Sequence, residues 1–229
     1  MNNELNIIFE DKNLIIVEKY QGIPCQADKT NDKDLLSEVS SYIGNDAFLV
    51  HRLDRPVGGI MIFAKNKNTC SSLSSQIQEK TFKKTYLAVV CGIPEEPEKT
   101  LVDYMIKNQR LNLSKIVNKN NQGAKRAELS YKLLKTCETD DYGKLSLLEI
   151  DLKTGRHHQI RLQLSNIGLG IWGDTKYNDK FKRHGEFSFH KFVNISLFST
   201  SIEFINPTTK QLEKYSLTPP NEEPFSFFK

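Results

Sequence analysis

The residues best suited to do chemistry lie in one stretch, His51 to Lys65, which reads H-R-L-D-R-P-V-G-G-I-M-I-F-A-K. A single carboxylate, Asp54, stands between two guanidinium groups, Arg52 and Arg55. Pro56 and Gly58-Gly59 then turn the chain into the apolar run Ile60 to Ala64. Arginine neighbours lower an aspartate pKa and keep the carboxylate ionised where water is scarce. That is how a nucleophilic carboxylate is held ready. The plainer reading is a surface loop with solvated ion pairs, which contribute little.

Two further segments carry candidate groups. In Lys84-Thr85-Tyr86-Leu87-Ala88 a tyrosine enters a buried strand. Such a residue is ordinarily a core side chain with its hydroxyl near water. It can also serve as a stacking platform for a base, or as a phenol placed to move a proton. In Thr154-Gly155-Arg156-His157-His158-Gln159-Ile160-Arg161, Thr154 is a plausible N-cap, and a helix from there sets His157 and Arg161 on one face. Arg161, beside the apolar face of Ile160 and Leu164, requires an anion, because a guanidinium keeps its proton. Asp54 is the unexplained anion, although a surface acid would serve. Adjacent histidines on a helix point apart and have no carboxylate or cysteine at ligand spacing, so no metal is expected.

The totals bound the rest. The 229 residues are 38% hydrophobic and 26% charged, enough apolar content to bury one core of ordinary size. We expect one domain over 1–229, with its core at about 5–219 and a Pro-rich tail at 218–229. The net charge of +4 permits a nucleic-acid partner without demanding one. Cys25, Cys70, Cys91 and Cys137 form no C-x-x-C pair, which argues against structural zinc and a disulfide framework. With no signal peptide and no apolar run long enough to span a membrane, a cytoplasmic protein is expected. No exposed apolar stripe calls for a partner, so a monomer is the expectation.

The elements that must position these groups follow from periodicity. A hairpin is expected at 5–10 and 13–18, an amphipathic helix at 33–43, a strand at 60–64, a helix over 66–80 and a strand at 82–93. An acidic loop at 94–99 precedes a hairpin at 100–107 and 110–117. Strands at 125–137 and 144–153 come next, then the helix through Ile160, Leu164 and Ile167. Strands near 193–198, 201–206 and 211–216 close the chain. Many strands on hairpin-length loops with three helices indicate α+β, with a large, mostly antiparallel sheet.

These motifs together resemble the RluA-type RNA pseudouridine synthases. His51, Arg52, Leu53, Asp54, Arg55 and Gly59 match the family's H-R-L-D-R-x-T-S-G box, with Val57-Gly58 in place of Thr-Ser. The K-x-Y-x-A segment and T-G-R-x-H-Q-I-R match at every fixed position. Gly168 to Tyr177 resembles G-x-P-I-x-G-D-x-x-Y, with Gly170 at the Pro position. Residues 194–209 resemble the terminal strand pair, with Phe198 and Asn206 at its two His positions, and the opening hairpin ends in K-Y-Q-G rather than K-P-A-G.

The resemblance implies a pseudouridine-synthase catalytic domain with a central RNA-binding cleft; because few residues precede the first strand, no N-terminal RNA-binding module of the S4 type, which many relatives carry, is expected. It implies Asp54, Tyr86 and Arg161 as catalytic residues, with Arg161 bridging to Asp54 and Tyr86 packing on the uridine. Arg52 becomes the candidate to fill the gap left by a flipped base. Leu53, Arg55, Ile160 and Leu197 are further substrate-binding candidates, Leu197 and Ile160 as apolar walls. Exposed cations that could follow phosphates are Lys83-Lys84, Lys125-Arg126, Arg156 and Lys180 to Arg183. Breaking the N1–C1′ bond of uridine and joining C5 to C1′ involves no redox step or group donor, so no cofactor is expected. The implied partner is structured RNA, ribosomal or transfer. Two other readings compete: an RNA-binding protein or chaperone that has lost catalysis, and a glycosidase using Asp54, which would want a second carboxylate.

Overall fold

The structure is a computed structural model describing residues 5–30, 32–181 and 193–229. Its strands are β1 (Ile7–Glu10), β2 (Leu14–Lys19), β3 (Phe48–Leu49), β4 (Gly58–Ala64), β5 (Lys83–Cys91), β6 (Glu98–Asn108), β7 (Leu113–Val117), β8 (Lys125–Thr139), β9 (Gly143–Leu152), β10 (Leu197–Ile205) and β11 (Leu212–Ser216). Its helices are α1 (Leu35–Ile43), α2 (Lys67–Gln78) and α3 (Gln159–Asn166). The architecture is α+β and mostly antiparallel, as the strand-rich pattern predicts. The residues form two compact units, Met1–Lys84 with Ser199–Thr218, and Thr85–Phe198 with Pro219–Lys229.

In the first unit, β1, β2 and β4 are successive antiparallel neighbours, β3 adds to β4, and β11 pairs with β10. All seven residues of β4 are buried, so the strand reads as a continuous apolar run rather than an alternating one. Ile60 and Ile62 pack with Leu14, Ile16, Leu73, Phe82, Ile202 and Phe204. Asp34 caps α1 through Ser37 N, and Asn66 caps α2 through Thr69 N. From α2, the Gln76 amide donates to the Ile205 carbonyl at 2.8 Å and accepts from Ile205 N at 2.9 Å. A side chain thus completes hydrogen bonding at the end of β10.

Gly59 has a physical reason to be glycine. Its φ is +124°, and a Cβ there would lie 2.3 Å from the Ser199 carbonyl oxygen. Ser199 is itself fully buried and donates to the Ile60 carbonyl at 3.3 Å. The Phe198-Ser-Thr-Ser201 segment, expected as a break between two strands, therefore runs unbroken through β10. The Ser199 hydroxyl is absorbed by neighbouring backbone, so polarity there marks close packing and not a turn.

The second unit orders its strands β5-β9-β8-β6-β7, each pair antiparallel, with an irregularity in β8 between Leu133 and Lys135. The acidic segment expected as a loop at 94–99 instead gives β6 its first residues, Glu98 and Lys99, opposite Lys132 and Tyr131. Val89, Cys91, Leu145, Trp172, Phe181 and Phe228 form the core. The C-terminal segment is therefore no loose tail: Phe228 is buried, and Phe225 and Phe227 pack beside it. The apolar area of three phenylalanines outweighs the prolines' resistance to regular structure.

Thr154 does not cap α3. The N-cap is His158, in the left-handed region at φ 55°. Thr154 Oγ1 instead accepts from Glu128 N at 2.8 Å and donates to Gln159 Oε1 at 2.7 Å, tying the segment to β8. His157 thus lies before the helix and does not share a helical face with Arg161.

Replacing Gly59 by alanine combines a backbone collision with a disfavoured φ. The expected loss is about 3 kcal/mol, measured as a lowered urea midpoint with an unchanged slope.

Candidate active site

The His51–Val57 loop enters β4 through a turn in which the Asp54 carbonyl accepts from Val57 N at 2.9 Å. Arg52 is exposed, Leu53 is buried and Asp54 is half-buried. Two buried side chains hold the loop from beneath. Lys19, fully buried at the end of β2, donates from Nζ to the carbonyls of Tyr20, Arg55 and Val57 at 3.2, 3.0 and 2.7 Å. The Cys25 thiol donates to the Leu53 carbonyl at 3.1 Å and accepts from Leu53 N at 3.3 Å. The residues on both sides of Asp54 are therefore pinned through their backbone.

Burial lowers the Lys19 ammonium to a pKa of about 8, against the opposing pull of the Asp54 carboxylate. Desolvation pushes the Cys25 thiol up, so it stays protonated and able to donate.

Arg55 has partners within its own unit. Its Nε donates to the Gly22 carbonyl at 2.9 Å, and its guanidinium pairs with Asp32 and, at 3.6 Å, with Asp28. It fastens the loop to the connection after β2. Lys84 corrects the expectation of an exposed cation: it is 7% exposed, and burial lowers its pKa. Its neighbour Lys83 pairs with Glu203 at 2.6 Å. His51 is buried with neither ring nitrogen hydrogen-bonded. Burial, reinforced by the Lys84 charge, lowers its pKa to about 3 and keeps the imidazole neutral.

In the second unit Tyr86 is buried on β5 opposite Ile150 of β9. Arg161, 3% exposed on α3, makes a bidentate pair with Asp174: Nε to Oδ2 at 2.8 Å and Nη2 to Oδ1 at 2.7 Å. Its guanidinium carbon stands 5.3 Å from the centre of the Tyr177 ring. Asp174 also accepts from Lys176 N and Tyr177 N, so the carboxylate is well satisfied. The anion that a buried Arg161 demands is thus present within its own unit. Asp174 lies in the G-D-T-K-Y segment, whose motif marks its place in the chain but not its partner. Ile160 and Leu197 are buried, while Arg156 is exposed and donates from Nε to the Arg126 carbonyl. Of the expected cations, Lys182 and Arg183 lie outside the described residues. No group of three or more metal-ligating side chains occurs among the described residues. Among the same residues, no helix is long and apolar enough to cross a membrane.

Comparison with known proteins decides the family. Residues 13–166 match the RNA pseudouridylate synthase family. The chain belongs to it. A "tRNA pseudouridine synthase C" of Haemophilus influenzae is 30% identical over 90% of both chains. A "Ribosomal large subunit pseudouridine synthase C" of Rickettsia bellii is 36% identical over 83% of this chain and 63% of its own length. Among solved structures, "Human RNA Pseudouridylate Synthase Domain Containing 1" shares the fold at TM-score 0.75 and 22% identity, covering 95% of this chain and 84% of its own. The synthase's family match includes Asp54, Tyr86 and Arg161; Asp174 and Leu197 fall beyond it.

Replacing Asp174 by alanine leaves the synthase with a buried guanidinium lacking this partner. We expect a loss of about 3–5 kcal/mol, read by chemical denaturation, with Asp174→Asn retaining part of it. Acid should act through His51. It stays neutral when folded down to about pH 3, whereas the unfolded chain takes up the proton below about 6.5. Its contribution is complete above pH 6.5 and is lost between there and pH 3. Urea midpoints of wild type and His51→Leu, compared at about pH 7 and about pH 4, should show a smaller acid-induced drop in the variant.

Proposed function

We propose that this RNA pseudouridine synthase isomerises specific uridines of structured RNA, transfer or ribosomal, with Asp54 as the catalytic carboxylate. The observation that carries this reading is the bracketed loop. Asp54 is half-buried at a position whose flanking backbone is pinned by Cys25 and Lys19. Such preorganisation is what attack at a sugar carbon, or removal of a sugar proton, demands of a single carboxylate. Either route conserves atoms: the N1–C1′ bond breaks, C5 joins C1′, and the C5 proton is lost while N1 gains one.

Exposed Arg52, next to Leu53-Asp54, is assigned to fill the stack when the uridine flips out. Tyr86 is assigned to stack on the uracil, with Ile160 and Leu197 as apolar walls. Arg161 is assigned to orient Asp54 and keep it ionised. Arg156 and Lys125 are assigned to phosphates. The two relatives named for transfer RNA and for the large ribosomal subunit support these two substrate classes. The protein is proposed to act in the cytoplasm as a monomer.

The test is pseudouridine mapping of transfer and ribosomal RNA from cells lacking the gene, complemented with wild type or Asp54→Asn. A discrete site should vanish and return only with wild type, the variant keeping wild-type thermal stability. Restoration by Asp54→Asn would remove Asp54 from the chemistry.

A further inference from the structure

α3 begins without a side-chain cap, and its N-cap His158 stands in the left-handed region. At 8 residues the helix is too short to hold itself in water, so its packing must fix it. Two glutamines, Gln159 and Gln163, lie four apart on one face and are 3% and 0% exposed. Arg161, between them in sequence, projects roughly 200° around the axis from Gln159, toward Asp174. Whatever sets the rotation of the helix on its glutamine face therefore also aims the guanidinium on the other.

The hydrogen bonds on the glutamine face run in one direction. Gln159 Oε1 accepts from Arg156 N at 3.0 Å and from the Thr154 hydroxyl at 2.7 Å, while Gln159 Nε2 donates to the Glu128 carbonyl at 3.0 Å. A backbone N–H and a backbone carbonyl cannot exchange roles. Turning the Gln159 amide over would set donor against donor and acceptor against acceptor. Its Nε2 also donates to Gln163 Oε1 at 3.0 Å, which leaves Gln163 to donate from Nε2 to Asp103 Oδ2 at 2.7 Å. The series ends there, because a carboxylate only accepts. Asp103 stands on β6 opposite Ala127 of β8 and has no cation partner among the described residues. An acid in this place without an ion pair supplies an acceptor to a buried amide. Neither Asp103 nor Gln163 belongs to a motif read from the sequence.

We propose that Asp103 is a positioning residue for the synthase reaction, acting through Gln163 and Gln159 to fix the rotation of α3 and hence the aim of Arg161. Without an acceptor at 103, Gln163 Nε2 is buried and unpaired, and turning that amide over would bring it against Gln159 Nε2. The helix relieves the mismatch by rotating, and Arg161 moves with it. The residue type at 103 is thereby defined: asparagine, accepting through Oδ1, serves and leucine does not. This role rests on the assignment of Arg161 to orient Asp54 and adds the group that orients Arg161.

The test compares Asp103→Leu, Asp103→Asn, Gln163→Glu and the double variant Asp103→Asn with Gln163→Glu. Gln163→Glu alone sets two carboxylates face to face. Adding Asp103→Asn reverses that one bond and keeps the bond from Gln159. On deproteinised tRNA and large-subunit rRNA from cells lacking the gene, kcat at saturating RNA should fall about tenfold to a hundredfold in Asp103→Leu and in Gln163→Glu. It should recover in Asp103→Asn and in the double variant. The Kd for the same RNA should hold, because Arg156 keeps its own bond to the Arg126 carbonyl. In nitrogen–proton NMR spectra the Arg161 Nε–H signal should be protected from exchange in wild type, Asp103→Asn and the double variant, and shifted and fast-exchanging in the other two. Wild-type kcat in folded Asp103→Leu, a fallen kcat with an unmoved Nε–H signal, or no recovery in the double variant would overturn the role. Should Asp103→Leu not fold, Gln163→Glu with and without Asp103→Asn carries the same comparison. Wild type that binds RNA yet forms no pseudouridine would instead sink the proposed function, and the Nε–H signal would still decide whether Asp103 aims Arg161.

Discussion

A buried ammonium is the constraint on which the first unit depends. Lys19 has no exposed surface, and a charge in that position is tolerable only if every proton finds an acceptor. It finds three carbonyls, two of them in the turn after Asp54. The requirement works in both directions. The ammonium cannot be buried unless the turn folds over it, and the turn's carbonyls have a strong donor only if the lysine is there. Cys25 extends the same logic to the other side of Asp54 with a weaker donor, and Gly22 N adds a bond to the Arg55 carbonyl. A loop of Arg, Leu, Asp, Arg and Pro, with little regular hydrogen bonding of its own, is thereby given one backbone course.

The second unit meets the same problem with a different cation. Arg161 cannot give up its proton, so its burial demands a planar, bidentate acceptor, which Asp174 supplies. Two backbone N–H groups hold Asp174 in turn, and Tyr177 covers the guanidinium and anchors the β6–β7 hairpin through its hydroxyl. Removing one member of such a set leaves the others desolvated and poorly matched, so the group behaves as a unit. His158, which opens the helix that carries Arg161, must remain neutral to fit: burial and the surrounding cations all oppose its protonation.

Much of this is legible in the residues. The run Ile60 to Ala64 is apolar at every position, which suits a strand buried on both faces, and β4 is that strand. Thr154 misleads, because a threonine before an apolar helical stripe satisfies the capping pattern while its hydroxyl is equally able to bridge to a neighbouring strand. Ser199 misleads in the same manner, since a polar residue in a strand looks like a break until a close-packed neighbour is known. Lys84 has the look of a surface charge because lysine usually is one, and Phe225 to Phe228 have the look of a tail because prolines precede them.

What the sequence determined by itself was local or chemical: strand and helix content, the α+β class, and the identity of the segments bearing the carboxylate, the phenol and the guanidinium. Periodicity and residue chemistry are properties of neighbours along the chain, so one dimension suffices for them. The tertiary structure decided the pairings: Asp174 for Arg161, Asp28 and Asp32 for Arg55, and Lys19 beneath a turn 36 positions away along the chain. A buried charge states that it needs a partner, but several acids could answer. The folded backbone answers by bringing acids within hydrogen-bond distance.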